Sequence, residues 1–124
     1  MPSRTPESRR RAWRGGLRAE AIAAWWLRLK GYRVLAQRFK VPAGEIDLVV
    51  RRGRVLAAVE VKERVELAAA AESVGPRQRR RIVRAAEAFL QQNPSLAPSD
   101  LRFDVVLIAP GRRPRHLPDA WRPD

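Results

Sequence analysis

The chain has no cysteine, and among its 124 residues there is one histidine, one tyrosine and one methionine. Without cysteine, neither a disulfide framework nor a thiolate metal site is available. With His116 as the sole histidine, a histidine-rich zinc centre is excluded as well. Any metal must be held mainly by oxygen ligands, which points to Mg²⁺ or Mn²⁺. Long apolar runs are also missing. The longest, Ala21 to Leu27, falls far short of the about 20 residues that span a bilayer. The N-terminus is arginine-rich but lacks the apolar stretch of a secretory signal. A cytoplasmic protein with no membrane partner is the expectation. Acid is scarce too: 13 Asp and Glu stand against 26 Lys and Arg, a net charge of +13.

That excess is nearly all arginine, because lysine occurs only at Lys30, Lys40 and Lys62. The guanidinium fork pairs with phosphate oxygens, so a polyanionic partner is expected, with nucleic acid, DNA above all, the commonest. A genome rich in G and C would explain arginine over lysine, but not an excess of thirteen positive charges. The length supports one compact domain. Residues 1–14, basic and carrying Pro2 and Pro6, read as a flexible tail, and residues 15–124 as the domain.

The segment Leu17 to Lys30 is alanine-rich, free of proline and closed by Gly31, the pattern of a helix. Ile22, Trp25, Trp26 and Leu29 fall at helical spacing and are expected to form its buried face. Tyr32 to Val41 reads as a strand with Leu35, Phe39 and Val41 on one side. Residues 65–76 read as an exposed loop with some helix. Pro76 opens a second helix, Arg77 to about Gln92, with Ile82, Ala85, Ala86 and Phe89 as its buried stripe. Gln78 lies four residues before Ile82 on that stripe. Arg77, Arg79, Arg80, Arg81 and Arg84 coat much of the remainder, with Glu87 the one acid to relieve them, and are expected to contact phosphates. Leu101 to Ala109 reads as a strand buried on both faces. Residues 110–124 read as irregular, anchored by one aromatic. The order α-β-β-β-α-β indicates an α/β fold, a mixed central sheet flanked by helices.

The centre of the chain is Gly44 to Lys62. Two apolar runs flank a glycine-containing turn and read as a β-hairpin. Glu45, Asp47, Glu60 and Lys62 sit inside these runs, although burying an unpaired acid costs several kcal/mol. A loop centred between Arg52 and Gly53 would set Ile46 opposite Val59, Leu48 opposite Ala57 and Val50 opposite Val55, a wholly apolar face. The other face would set Glu45 opposite Glu60 and Asp47 opposite Ala58. Asp47 and Glu60 then become diagonal neighbours roughly 7–8 Å apart, able to grip one cation. A carboxylate-held divalent ion suits phosphodiester hydrolysis, because it neutralises charge at phosphorus and activates water. Lys62, on the same strand face as Glu60, can contact the attacking water or the developing oxyanion. Glu45 is a secondary group beside them.

Asp47, then Glu60-Val61-Lys62 on the next strand, with Glu20 on a preceding helix, resembles the PD-(D/E)xK nuclease signature. The match is closest to the YraN-like family of bacterial proteins, itself similar to archaeal Holliday-junction resolvases. The pieces that carry it are Gly16-x-x-x-Glu20, Gly31-Tyr32, Gly44-Glu45-Ile46-Asp47-Leu48, Val59-Glu60-Val61-Lys62, Arg102-Phe103-Asp104-Val105-Val106, and His116 with Ala120-Trp121. They span nearly the whole chain. The resemblance implies Glu20, Asp47 and Glu60 as metal ligands, Lys62 as the catalytic lysine and Gln78 as a supporting residue on the following helix. It also implies a restriction-endonuclease-like fold and a Mg²⁺-dependent endonuclease acting on DNA, branched or junction DNA in particular, as a homodimer if paired strands are cut. Two departures bear on the loop after the strand: Glu63 follows Lys62 where a small polar residue is usual, and the next stretch is alanine-rich. Two other readings compete. One is a non-catalytic nucleic-acid-binding module of the same fold; the other is an RNA-associated basic protein whose acids merely pair with arginine.

Overall fold

A computed structural model describes residues 6–63 and 74–123, with side chains from Gly16 onward. Helix α1 (Pro6–Leu29) leads into three strands, β1 (Arg33–Val41), β2 (Gly44–Arg52) and β3 (Val55–Glu63). Helix α2 (Pro76–Gln92), a short 3-10 turn (Pro94–Leu96), and strands β4 (Asp100–Ile108) and β5 (Arg115–Trp121) complete the chain. The five strands form one mixed sheet in the order β1-β2-β3-β4-β5. Only β3 and β4 run parallel, as they must when α2 connects them by crossover.

The helices cover opposite faces. On one side α2 buries Ile82, Ala85, Ala86 and Phe89 against Ile46, Val49, Leu56, Ala58, Phe103, Val105 and Leu107. This is the stripe expected from the sequence, and Pro76 opens the helix as expected. On the other side α1 buries Ala23, Ala24 and Leu27 against Leu48, Val50, Ala57, Val59 and Val106. With apolar side chains on both faces, β3 and β4 are interior strands, in accord with the continuous apolar run at 101–109.

The backbone of helix α1 includes residues 6–14, which the sequence assigns to the basic tail; they are rich in arginine, a good helix former. The face that α1 turns to the sheet corrects an expectation. Ala19, Ala23, Ala24 and Leu27 are buried, whereas Trp25 and Leu29 are 61% and 62% exposed and Ile22 is exposed as well. Apolar residues occupy both sides of this helix, and side-chain size decides between them. Alanines let the helix axis approach the sheet closely, which a row of Ile, Trp and Leu would prevent.

The hairpin register differs from the expected one by two residues. Leu48 faces Val59, Val50 faces Ala57 and Arg52 faces Val55. The loop is Gly53-Arg54, with Gly53 at φ 60 in the first central position, the place a type II′ turn reserves for glycine. Consequently both hairpin faces are apolar, since Val49, Leu56 and Ala58 pack under α2 while Leu48, Val50, Ala57 and Val59 pack under α1. The acids lie at the open end instead. Gly44, at that end, admits no side chain: a Cβ would fall 1.8 Å from the Arg81 carbonyl oxygen of α2.

Residues 115–121, expected to be irregular, form the edge strand β5 antiparallel to β4. Pro118 and the left-handed backbone at Asp119 (φ 53) hide a strand pattern in the sequence, and an edge tolerates both. Trp121 is buried against Phe103, as the expected anchor. The expected loop at 65–76 lies mostly outside the described residues.

Candidate active site

Past the Leu48–Val59 pair the β2–β3 ladder opens. The Val61 N–H donates to Asp47 Oδ2 at 2.8 Å, so the carboxylate takes the place of a backbone acceptor. Ile46 and Leu48 now point to opposite layers, and the strand alternation breaks at Asp47. The break brings Asp47 up to Glu60, and the two carboxyls hydrogen-bond each other. Burial, the Asp47 charge and the hydrogen bond to Asp47 push the Glu60 carboxyl up to about 8, against the pull of Lys62. Burial likewise raises Asp47, opposed by the Val61 N–H. In the metal-free protein the pair therefore holds a proton near neutral pH.

Helix α2 closes the site from above. Gln78 Nε2 donates to Glu60 Oε1 at 2.8 Å, and Lys62 Nζ donates to Gln78 Oε1 at 3.3 Å. Lys62 also stands 3.7 Å from Glu60, with both side chains largely shielded from solvent. Asp47, Glu60, Lys62 and Gln78 thus form one connected group, drawn from β2, β3 and α2. Glu45 lies outside it, exposed and 3.9 Å from Lys40, too open for a strong ion pair.

Glu20 projects from the buried face of α1 into a cleft of about 270 Å³ that Asp47 also lines. Its carboxylate is taken by Arg38, whose Nε donates at 2.7 Å. Glu20, Asp47 and Glu45 all act on the Arg38 guanidinium, chiefly Glu20 through that bond, and raise its pKa. Among the described residues no three acidic or histidine side chains converge into a cluster that could hold a metal. The donor set nevertheless fits a hard cation in part. Buried Glu60 and half-buried Asp47 share a proton that a divalent ion would replace, and Mg²⁺ needs only one or two carboxylates with water completing its shell. Asp47 and Glu60 would hold it; Glu20 could join only by leaving Arg38.

The sequence assigned no role to Arg38. Its signals are a left-handed backbone (φ 52) within a strand and the need of a buried Glu20 for a partner; only the fold makes them visible. Nor was a role assigned to Asp104, which is wholly buried on the α1 side of the sheet. Arg102 grips it with two bonds of 2.8 Å, the Asp119 N–H donates at 3.0 Å, and His116 Nε2 lies at 2.8 Å. Burial alone would push this carboxyl up; the bonds from His116, Arg102 and Asp119 outweigh it and hold it below the usual range. Arg102 also bonds the Tyr32 hydroxyl at 2.7 Å, tying β4, β5 and the end of α1 together. Of the arginines on α2, Arg77, Arg80, Arg81 and Arg84 are exposed, whereas half-buried Arg79 bonds the Val74 carbonyl at 2.7 Å.

Residues 19–108 match the model of a family described as "Uncharacterised protein family UPF0102". The chain belongs to this family. It is 67% identical over 112 residues to a UPF0102 protein of Parvibaculum lavamentivorans, covering 90% of this chain and 84% of that one. A UPF0102 protein of Paramagnetospirillum magneticum is 55% identical over 127 residues, covering 99% and 96%. One from Rhodopseudomonas palustris strain HaA2 is 54% identical over 110 residues, covering 89% and 86%. The matched span of this UPF0102 chain contains Glu20, Asp47, Glu60, Lys62 and Gln78, and stops short of β5.

Proposed function

We propose that this UPF0102 protein is a metal-dependent endonuclease that hydrolyses phosphodiester bonds in DNA, with branched or junction DNA as the preferred substrate. The observation that carries the reading is the grouping of Asp47, Glu60 and Lys62 at the open end of the hairpin, with Gln78 bonded to both Glu60 and Lys62. A divalent ion bound by Asp47 and Glu60 would supply charge neutralisation at the scissile phosphate and a water of lowered pKa. To hold such an ion, Glu60 would give up the proton it shares with Asp47. Gln78 holds Lys62 beside the carboxylates, where its ammonium can donate to a non-bridging phosphate oxygen as negative charge develops. The charge of +13 supports a phosphate-rich substrate bound without base readout. Among the described residues no helix is long and apolar enough to cross a membrane. The test is cleavage of a labelled four-way junction in Mg²⁺ or Mn²⁺. Activity that survives both Asp47→Asn and Glu60→Gln rejects the assigned site.

A second reading, a nucleic-acid-binding module that cuts nothing, draws support from Glu20, which pairs with the Arg38 guanidinium at 2.7 Å rather than standing open to a metal ion. It requires binding that is salt-sensitive, indifferent to Mg²⁺ and without turnover.

A further inference from the structure

Ile22, Trp25 and Leu29, expected from their spacing to face the core, lie on the outer side of α1 instead. Three and four residues apart on one helix, they are neighbours and form a continuous apolar stripe. Trp25, in the middle of it, keeps more than half of its surface in solvent. An apolar stripe left open on a chain of net charge +13 marks a contact surface.

The charge around the stripe decides what it suits. Arg18, two turns before Trp25, and Arg28, one turn after it, are both exposed on the same side of the helix. Among the described side chains of α1 the one acid is Glu20, which is turned to the sheet and bonded to Arg38. At its C-terminal end the stripe reaches Lys30 and Arg52, both exposed, with Arg52 Nη1 donating to the Lys30 carbonyl at 3.1 Å. Burial and the charges of Arg52 and Arg102 push the Lys30 ammonium below its ordinary value, against the pull of Asp104, so positive charge is crowded here. A second copy of the chain, meeting this face symmetrically, would set arginine against arginine with no acid between them. Three side chains also fall far short of the roughly 800 Å² per partner that a stable interface buries. A polyanion supplies the missing charge. Single-stranded nucleic acid supplies unpaired bases as well, which stack on an aromatic ring.

We infer that the outer face of α1 binds single-stranded nucleic acid, with an unpaired base stacked on Trp25 and the flanking phosphates held by Arg18 and Arg28. The inference rests on the nucleic-acid reading above and extends it from charge to the class of strand. If the chain acts on DNA as proposed, the strand is an unpaired arm or flap of a branched substrate. RNA presents the same chemistry. The face requires neither a metal nor turnover, so it stands apart from the Asp47–Glu60 site.

The test uses the full chain carrying Asp47→Asn, in the presence of a chelator, so that cleavage plays no part. Fluorescence anisotropy compares a labelled oligo-dT strand, an oligo-U strand of equal length and a strand of equal length built from abasic residues. All three carry the same charge, but the abasic strand has nothing to stack. We expect a base-bearing strand to bind about tenfold tighter than the abasic one, the usual effect of one stacked base. Trp25→Ala, a change outside the core, should bring that ratio close to one, and Trp25→Phe should keep part of it. Arg18→Ala with Arg28→Ala should weaken all strands alike and flatten the salt dependence. Tighter binding of oligo-U than of oligo-dT, lost in Trp25→Ala, supports the face and identifies RNA as its occupant. Equal affinity for base-bearing and abasic strands, or a ratio that survives Trp25→Ala, overturns the inference. So does sedimentation showing a dimer that Trp25→Ala dissociates, which would give the face to a second copy. A wild-type chain that leaves a four-way junction uncut in Mg²⁺, alongside a ratio that depends on Trp25, would reject the nuclease reading and leave this face standing.

Discussion

Gln78 Nε2 donates to Glu60 Oε1 at 2.8 Å, while its own Oε1 accepts from Lys62. One amide therefore presents opposite polarities to an acid and a base two residues apart on β3, and fixes both to helix α2. Gln78→Ala should cost about 1 kcal/mol of stability, the net worth of such bonds. It should also lower metal-dependent cleavage about 10- to 100-fold, the usual cost of losing an outer support of a metal ligand. Thermal melts and single-turnover rates on the same preparation separate the two effects.

The shared proton makes stability depend on pH. Glu60 titrates at about 8 in the fold against 4.5 ordinarily, so the native state binds the extra proton between those values. The sign follows: this contribution is fully present below 4.5, declines as pH rises, and is gone above about 8. Metal-free protein should melt at lower temperature at about pH 9 than at about pH 6, and Glu60→Gln should flatten that difference. Melting curves at both values, in chelator, decide it.

Asp104 has the opposite sign. Its carboxyl is held below the ordinary 3.8, so its contribution is present above that value and lost as pH falls through the lower folded value. Asp104→Ala leaves Arg102 and His116 facing an empty position and should destabilise by about 3–5 kcal/mol. Urea denaturation at neutral pH reads the loss directly.

The two sides of α1 should respond unequally. Leu27→Ala removes a fully buried side chain and should cost about 2–5 kcal/mol. Trp25→Ala, on the exposed side, should fall within about 0.5 kcal/mol. Denaturant midpoints for the pair distinguish the observed face from the one that residue size suggests.

Gly44→Ala should destabilise by about 1–3 kcal/mol, because the new methyl meets the Arg81 backbone and helix α2 must move away. The same displacement should withdraw Gln78, so cleavage should fall more than stability alone explains. Rate and melting temperature measured together check this.

These contrasts show where the sequence was legible. Helix α2 could be read whole, since one polar face, one apolar stripe and an opening proline leave a single solution. The buried face of α1 could not, because both its sides are apolar and only the partner sheet selects the alanines. The hairpin was visible but its register was not. Gly53 fits either loop position until its φ of 60 selects the first, and a shift of two preserves the alternation while moving every partner. Strand β5 was masked by Pro118 and a dense run of arginine and proline. At the candidate site, Asp47, Glu60, Lys62 and Gln78 stood out as polar groups in apolar settings, and the fold does bring them together. The Glu20–Arg38 pair joins residues 18 apart through the packing of α1 on β1, which no local pattern encodes.

The most direct test is calorimetric titration of Mn²⁺ into the metal-free protein at neutral pH, repeated in buffers of different ionisation enthalpy and with Asp47→Asn. Saturable binding that releases a proton, from the pair now sharing one, and that is lost in Asp47→Asn is the expected result. Absence of binding, or equal binding by the variant, would contradict a cation site at Asp47 and Glu60.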